Sequence, residues 1–313
     1  MAAVSISKGL VFRLIISVLM IGLVLTFTDF EKLVQVFKSI PPYLVLTVII
    51  GYLICPFLNC YRWMLFARSA GVETSYSKAL RAYFVGAFVN AFGLGTVGGD
   101  LTRALMLAGD KPVKAASLAS VAADRLHGLA MLALIGSLSA LFVDVEHLHP
   151  DFLAILSLIA PAIIIGWFCG PWLIERRVFI DLCERFKFGK IRLKIKEAFG
   201  AFPRDRSTMI FASFLSLCFH LAQISLHLLM ALALNVEIPW LVLLVVVPFV
   251  NIVSSLPISW MGLGVRENAY IFFLVPLFLT REEAVAFGAI WLLAVTVTSA
   301  MGGLVSVLGI KKN

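Results

Sequence analysis

Apolar runs separated by short polar stretches make up most of the chain, and the runs come in two lengths. Residues 14–27, 43–60, 115–143, 152–174, 207–234 and 284–310 read as helices that cross the roughly 30 Å of bilayer hydrocarbon. The first gains its length from 10–12, with Arg13 extended toward the surface. Two further stretches, 82–109 and 238–280, are broken in the middle by glycine and polar residues, so neither half has span length. Hydrocarbon tolerates interrupted backbone only where protein or a water-filled cavity satisfies the freed N–H and C=O groups. Each break therefore predicts a cavity.

The later break, residues 251–267, reads NIVSSLPISWMGLGVRE and ends on an Arg266-Glu267 pair. A charged side chain at membrane depth costs roughly 2.5–3.5 kcal/mol on insertion scales. The pair either faces a cavity or starts a helix at the interface. The earlier break reads GLGTVGGDLTRA, and Phe88-Val89-Asn90 leads into it as Phe249-Val250-Asn251 leads into the later one. An internal repeat and chance similarity both account for this. The 82–109 stretch reads as a re-entrant hairpin, with two full but kinked spans as the alternative.

Composition agrees with the pattern. Of 313 residues, 61% are hydrophobic and 14% charged, with a mean hydropathy of +1.00, whereas soluble domains are about 25% charged. The chain reads as a single all-α membrane domain, residues 1–313: a polytopic transmembrane helical bundle of about six full spans plus two re-entrant or broken helix hairpins. The net charge of +8 does not point to nucleic acid, because the basic residues sit in loops between apolar runs. By the positive-inside rule both termini and the segment holding Arg62, Arg68, Lys78 and Arg81 face the cytoplasm, and DVEHLHPD (144–151), without Lys or Arg, faces outward. The two hairpins then enter from opposite sides, an inverted arrangement known from transporters. Residues 175–206 carry ten Lys and Arg, with Phe179, Leu182, Cys183 and Phe186, then Ile191, Ile195, Ala198, Phe199 and Phe202, at helical spacing. They read as amphipathic helices on the anionic leaflet.

Candidate chemistry is sparse. Five scattered cysteines form no CxxC pair. The N-terminal run lacks a small-residue cleavage pattern and reads as an uncleaved span. His220, Gln223 and His227 share one helix face, either as glue between helices or as contacts along a polar path. No metal site or cofactor is expected.

Arg62-Trp63, Asn90, TVGGDLTRA (96–104), Asp124-Arg125 and LPISWMGLGVRE (256–267) together resemble the flippase-like family that includes the transmembrane region of lysylphosphatidylglycerol synthases. The resemblance runs over nearly the whole chain, and its last motif is the most specific. It implies a membrane domain that moves or presents a lipid with a polar headgroup. The larger family members carry an aminoacyl-tRNA-dependent transferase after this region. This chain stops at Asn313, and that activity is not expected of it. Leu94 stands near a position where the family has proline.

The expected substrate-binding set is Arg62, Asn90, Asp100, Arg103, Asp124, Arg125, Asn251, Ser259, Arg266 and Glu267. Arginine forks suit a phosphate. Asp100, Asp124 and Glu267 would hold those arginines when no lipid is bound. The function expected is transport of an anionic or polyprenyl-phosphate lipid across the cytoplasmic membrane. A non-transporting subunit of a lipid or glycan synthesis complex, bound to a soluble transferase through 175–206, is the alternative. A membrane-embedded enzyme using His220, Ser259 or Glu267 is the third class, without a catalytic signature to support it.

Overall fold

The computed structural model describes residues 8–93, 95–143, 158, 161–162, 164–166, 173–256, 258–275 and 277–309. Among these residues every regular element is helical.

Helix α1 (Lys8–Thr26) turns through 93° into the amphipathic α2 (Phe30–Ser39). Asp29 makes the corner by accepting from the Glu31 and Lys32 amides at 3.0 and 3.2 Å, filling donors that a helix start leaves open. Proline at the first position then launches α3 (Pro42–Ser69), the central membrane helix. Helices α4 (Tyr76–Phe92) and α5 (Gly95–Ala108) form a tight hairpin. A Cβ on Gly86 would lie 2.8 Å from the Gly99 carbonyl oxygen, so glycine is what lets the two backbones approach. Next come α6 (Lys114–Ala140), the short α7 (Arg177–Arg185) and α8 (Gly189–Gly200), and α9 (Arg206–Ala233). Helix α10 (Trp240–Ser255), a 3-10 turn at Trp260–Gly262, α11 (Val265–Leu274) and α12 (Arg281–Gly309) complete the chain.

Among the described residues four helices are long and apolar enough to cross a membrane, or five if α1 and α2 are one bent span. The expectation of about six counted 152–174, most of which lies outside the described residues. The acidic 144–151 loop, Leu94 and Lys311-Lys312 also lie outside them.

Both interrupted stretches are pairs of short helices. At 1.5 Å per residue α4 and α5 are about 25 and 21 Å long, and α10 and α11 about 24 and 15 Å, all short of the hydrocarbon thickness. The first pair begins at Tyr76, six residues before the expected 82, because Ser75 caps the Lys78 amide. The pairs are embraced crosswise: α4 packs on α12, and α10 packs on α6. The two Phe-Val-Asn motifs make the same kind of contact. Phe88 seats against Gly302 and Gly303 of α12, and Phe249 against Gly136 of α6.

In the basic segment the helical spacing is realised as α7 and α8, which bury Cys183 and Ala198. They leave Val178, Leu182, Phe186, Phe188, Ile191 and Leu193 exposed.

Candidate functional site

Three arginines and two aspartates from α3, α5 and α6 form one connected network. Arg62 Nε donates to Asp124 Oδ1 at 2.9 Å and Arg62 Nη1 to Ser216 Oγ of α9 at 2.6 Å. The other Asp124 oxygen accepts from Arg103 Nη1 and Nη2, both at 3.4 Å. Arg103 Nε approaches Asp100 to 3.2 Å, and Asp100 in turn accepts a two-pronged bond from Arg125 Nε and Nη2 at 3.1 and 3.0 Å. Arg62, Arg103 and Asp124 are 3%, 5% and 2% exposed, so the network is what makes their charge tolerable in the interior. The Arg103 guanidinium also lies over the Trp63 and Tyr83 rings, 4.8 and 5.4 Å from their centroids. Gly128 makes room for Arg62: a Cβ there would meet Arg62 Nη2 at 3.1 Å.

The later break is built differently. Met261, Gly262 and Gly264 all have positive φ, at 54°, 76° and 79°. For Met261 that left-handed conformation costs roughly 1–2 kcal/mol. It is held in place from two sides: the Met261 carbonyl accepts from Arg266 Nη2 at 3.2 Å, and the Trp260 amide donates to Ser17 of α1 at 2.7 Å. Glu267 folds back to accept from the Gly264 amide at 2.6 Å and so caps α11. The Arg266-Glu267 pair does start a helix, and both side chains are buried. Arg266 Nε and Nη1 have no hydrogen-bond partner, although the residue is only 7% exposed.

The two breaks meet. The 3-10 turn touches both α4 and α5, and a cavity of about 310 Å³ opens between them. Of the ten expected site residues, Arg62, Asn90, Asp100, Arg103, Asp124, Arg125, Asn251 and Arg266 line it. Ser259 and Glu267 are buried but do not, and Glu267 is engaged as a cap rather than as a partner for an arginine. Four arginines against two aspartates leave the wall at +2, with the histidine neutral.

The polar face of α9 is divided between its two readings. His227 is glue, with Nε2 2.7 Å from the Tyr270 hydroxyl and Nδ1 2.7 Å from the Gln223 carbonyl. His220 lines the cavity with both ring nitrogens unpartnered, and Gln223 Oε1 accepts from Asn251 Nδ2 at 3.5 Å. Ser216, on the same face, escaped the sequence reading, as did Asn59, whose amide donates to the Tyr83 hydroxyl at 2.7 Å. Single hydroxyls and amides in apolar helices carry no motif, though Ser216 does continue the His220, Gln223, His227 spacing one turn earlier. Among the described residues no group of three or more His, Cys, Asp or Glu is placed to hold a metal ion.

A family model described as the lysylphosphatidylglycerol synthase TM region matches residues 10–302. No curated protein and no solved structure matches the chain.

Proposed function

The chain belongs to the lysylphosphatidylglycerol synthase TM region family, and on that premise we propose that it moves or presents a lipid with an anionic, phosphate-bearing headgroup across the membrane. The observation that carries this reading is the uncompensated cation in the cavity wall. Leaving a buried guanidinium unpaired is costly, and Arg266 offers Nε and Nη1 to the interior with no acid beside them. A phosphate oxygen is the group that fits two such donors.

The rest of the wall suits stepwise passage. Arg125 is the most exposed of the three networked arginines, with its side chain 42% accessible, and its partner Asp100 is 25% accessible. A headgroup leaving Arg266 would exchange with that outermost pair while Arg62 and Asp124 hold the helices together. The paired Phe-Val-Asn motifs, each seated on a glycine of the long helix that follows the other hairpin, support an inverted repeat with its site at the junction. In this reading the basic α7–α8 segment and both termini face the cytoplasm, as the loop charges favour.

The test is transbilayer movement of fluorescent phosphatidylglycerol in vesicles holding the full chain, compared between wild type and R266Q. Loss of a charge-assisted bond of roughly 1.5–3 kcal/mol slows movement about tenfold to a hundredfold. Equal rates in folded wild type and R266Q would remove Arg266 from the path, and no movement above empty vesicles would reject transport.

A further inference from the structure

Arg266 is not the only group in the cavity wall with polar atoms left over. His220 on α9 and Thr298 on α12, both 3% exposed, and Ser254 on α10 line the same cavity. His220 Nδ1 and Nε2, Thr298 Oγ1 and Ser254 Oγ have no hydrogen-bond partner in the protein. On α3, Asn59 donates its amide nitrogen to Tyr83 and leaves Oδ1 equally unmatched. Ser254 stands close to Arg266, for a Cβ on Gly262 would meet both, at 3.0 Å from Ser254 Cβ and 3.2 Å from Arg266 Nη2. Buried polar atoms without partners are costly, so several of them around one cavity mark where a ligand completes the bonding.

These atoms differ in kind from Arg266. A guanidinium only donates, whereas a neutral imidazole presents one N–H and one lone pair in either tautomer, a hydroxyl does both, and an amide oxygen only accepts. An ionised phosphodiester carries acceptors alone and leaves the His220 lone pair and Asn59 Oδ1 unsatisfied. The ligand must therefore bring donors of its own, as hydroxyls or as an ammonium. Charge decides between them. Among the described residues the cavity wall holds two acids, each already shared: Asp124 between Arg62 and Arg103, and Asp100 between Arg103 and Arg125. An ammonium would find no carboxylate of its own in a wall that is already net positive, and it would face Arg266 as a like charge.

We propose that the cavity selects a phosphodiester headgroup that carries hydroxyls, a polyol or a sugar, and rejects headgroups that carry an ammonium; the assignment rests on the phosphate reading of Arg266 above. Arg266 takes the phosphate oxygens, and His220, Ser254 and Thr298 exchange hydrogen bonds with the hydroxyls attached to it.

The experiment is native mass spectrometry of the full-length protein in detergent with an equimolar mixture of four lipids. Phosphatidylglycerol is offered beside phosphatidylmethanol, which has the same charge and no hydroxyl in its headgroup, and beside phosphatidylethanolamine and lysine-esterified phosphatidylglycerol. Phosphatidylglycerol bound about tenfold over phosphatidylmethanol, with both ammonium-bearing lipids lower still, is the expected result, because a site that bonds hydroxyls is left with unpaired groups when the ligand lacks them. H220F is expected to bring the ratio of the two anionic lipids close to one, and H220Q, which keeps a donor and an acceptor, to retain most of it. T298V, which keeps the side-chain shape, lowers the same ratio and carries the test if H220F does not fold. Equal binding of phosphatidylglycerol and phosphatidylmethanol by wild type overturns the proposal and leaves the phosphate reading standing. An ammonium-bearing lipid bound as well as phosphatidylglycerol, or a ratio unchanged in both H220F and T298V, also overturns it. R266Q separates the two readings: if it binds both anionic lipids as wild type does while the preference still depends on His220, the hydroxyl site stands and the phosphate assignment of Arg266 falls.

Discussion

Asp124 accepts from Arg62 at 2.9 Å with one oxygen while its other oxygen faces Arg103, so a single carboxylate on α6 neutralises arginines from α3 and α5. It is thus the point where the first hairpin is tied to the helices around it. D124N leaves buried Arg62 without an acid and Arg103 with Asp100 alone, and is expected to cost roughly 3–5 kcal/mol. R62L leaves Asp124 still facing Arg103 and costs less, roughly 1–3 kcal/mol. Unfolding of the detergent-solubilised protein checks the order. Equal losses would mean that Arg103 does not share the carboxylate.

Arg266 predicts the opposite behaviour. Its one protein bond is to the Met261 carbonyl at 3.2 Å, and Nε and Nη1 bind nothing. Removing an uncompensated buried charge relieves a desolvation cost. R266Q is therefore expected to melt at the same temperature as wild type or higher, even where lipid movement is lost. A large drop in thermal stability would assign Arg266 a purely structural role.

How much of this was legible in the sequence differs from element to element. The breaks, the amphipathic segment and eight residues of the cavity wall stood out because charge and glycine inside apolar runs need a compensating structure. Pairing was not legible. Asp124 and Arg125 are neighbours in sequence, yet successive helix residues diverge by about 100°, which sends Asp124 to Arg62 and Arg103 and Arg125 to Asp100. The same divergence separates Arg266 from Glu267, whose carboxylate turns back to the Gly264 amide. Composition names the charges, and only tertiary placement says which one is left over.

Outside the membrane segments, Asp205 gives a prediction with a sign. It caps α9 by accepting from the Ser207 hydroxyl and from the Thr208 amide and hydroxyl, and these bonds pull its carboxyl down to about 2 from an ordinary 3.8. A folded-state value below the unfolded one means that the cap contributes in full above pH 3.8 and is lost as pH falls toward 2. D205A is expected to melt below wild type at neutral pH, and the gap is expected to close as pH drops through that window. A gap that stays constant on acidification would show that the carboxylate is not the group responsible.

The crosswise embrace of the two hairpins predicts an asymmetric response to the same small substitution. On α12, a methyl group added at Gly302 would lie 2.6 Å from the Phe84 carbonyl carbon and 2.9 Å from the Phe88 Cβ, and backbone on α4 has nowhere to move. On α6, a methyl at Gly136 would meet Pro248 Cβ at 3.2 Å and the edge of the Phe249 ring at 3.4 Å, a milder crowding that a shift of a few tenths of an ångström relieves. G302A is expected to destabilise by roughly 1–3 kcal/mol through overpacking, and G136A to stay close to wild type because added buried methyl contact offsets the shift. Thermal unfolding of the two variants decides the matter. Since α4 carries Asn90 into the cavity, G302A is also expected to slow lipid movement where G136A does not; a G302A protein that moves lipid at the wild-type rate would show that the hairpin's seat on α12 is not what sets the geometry of the site.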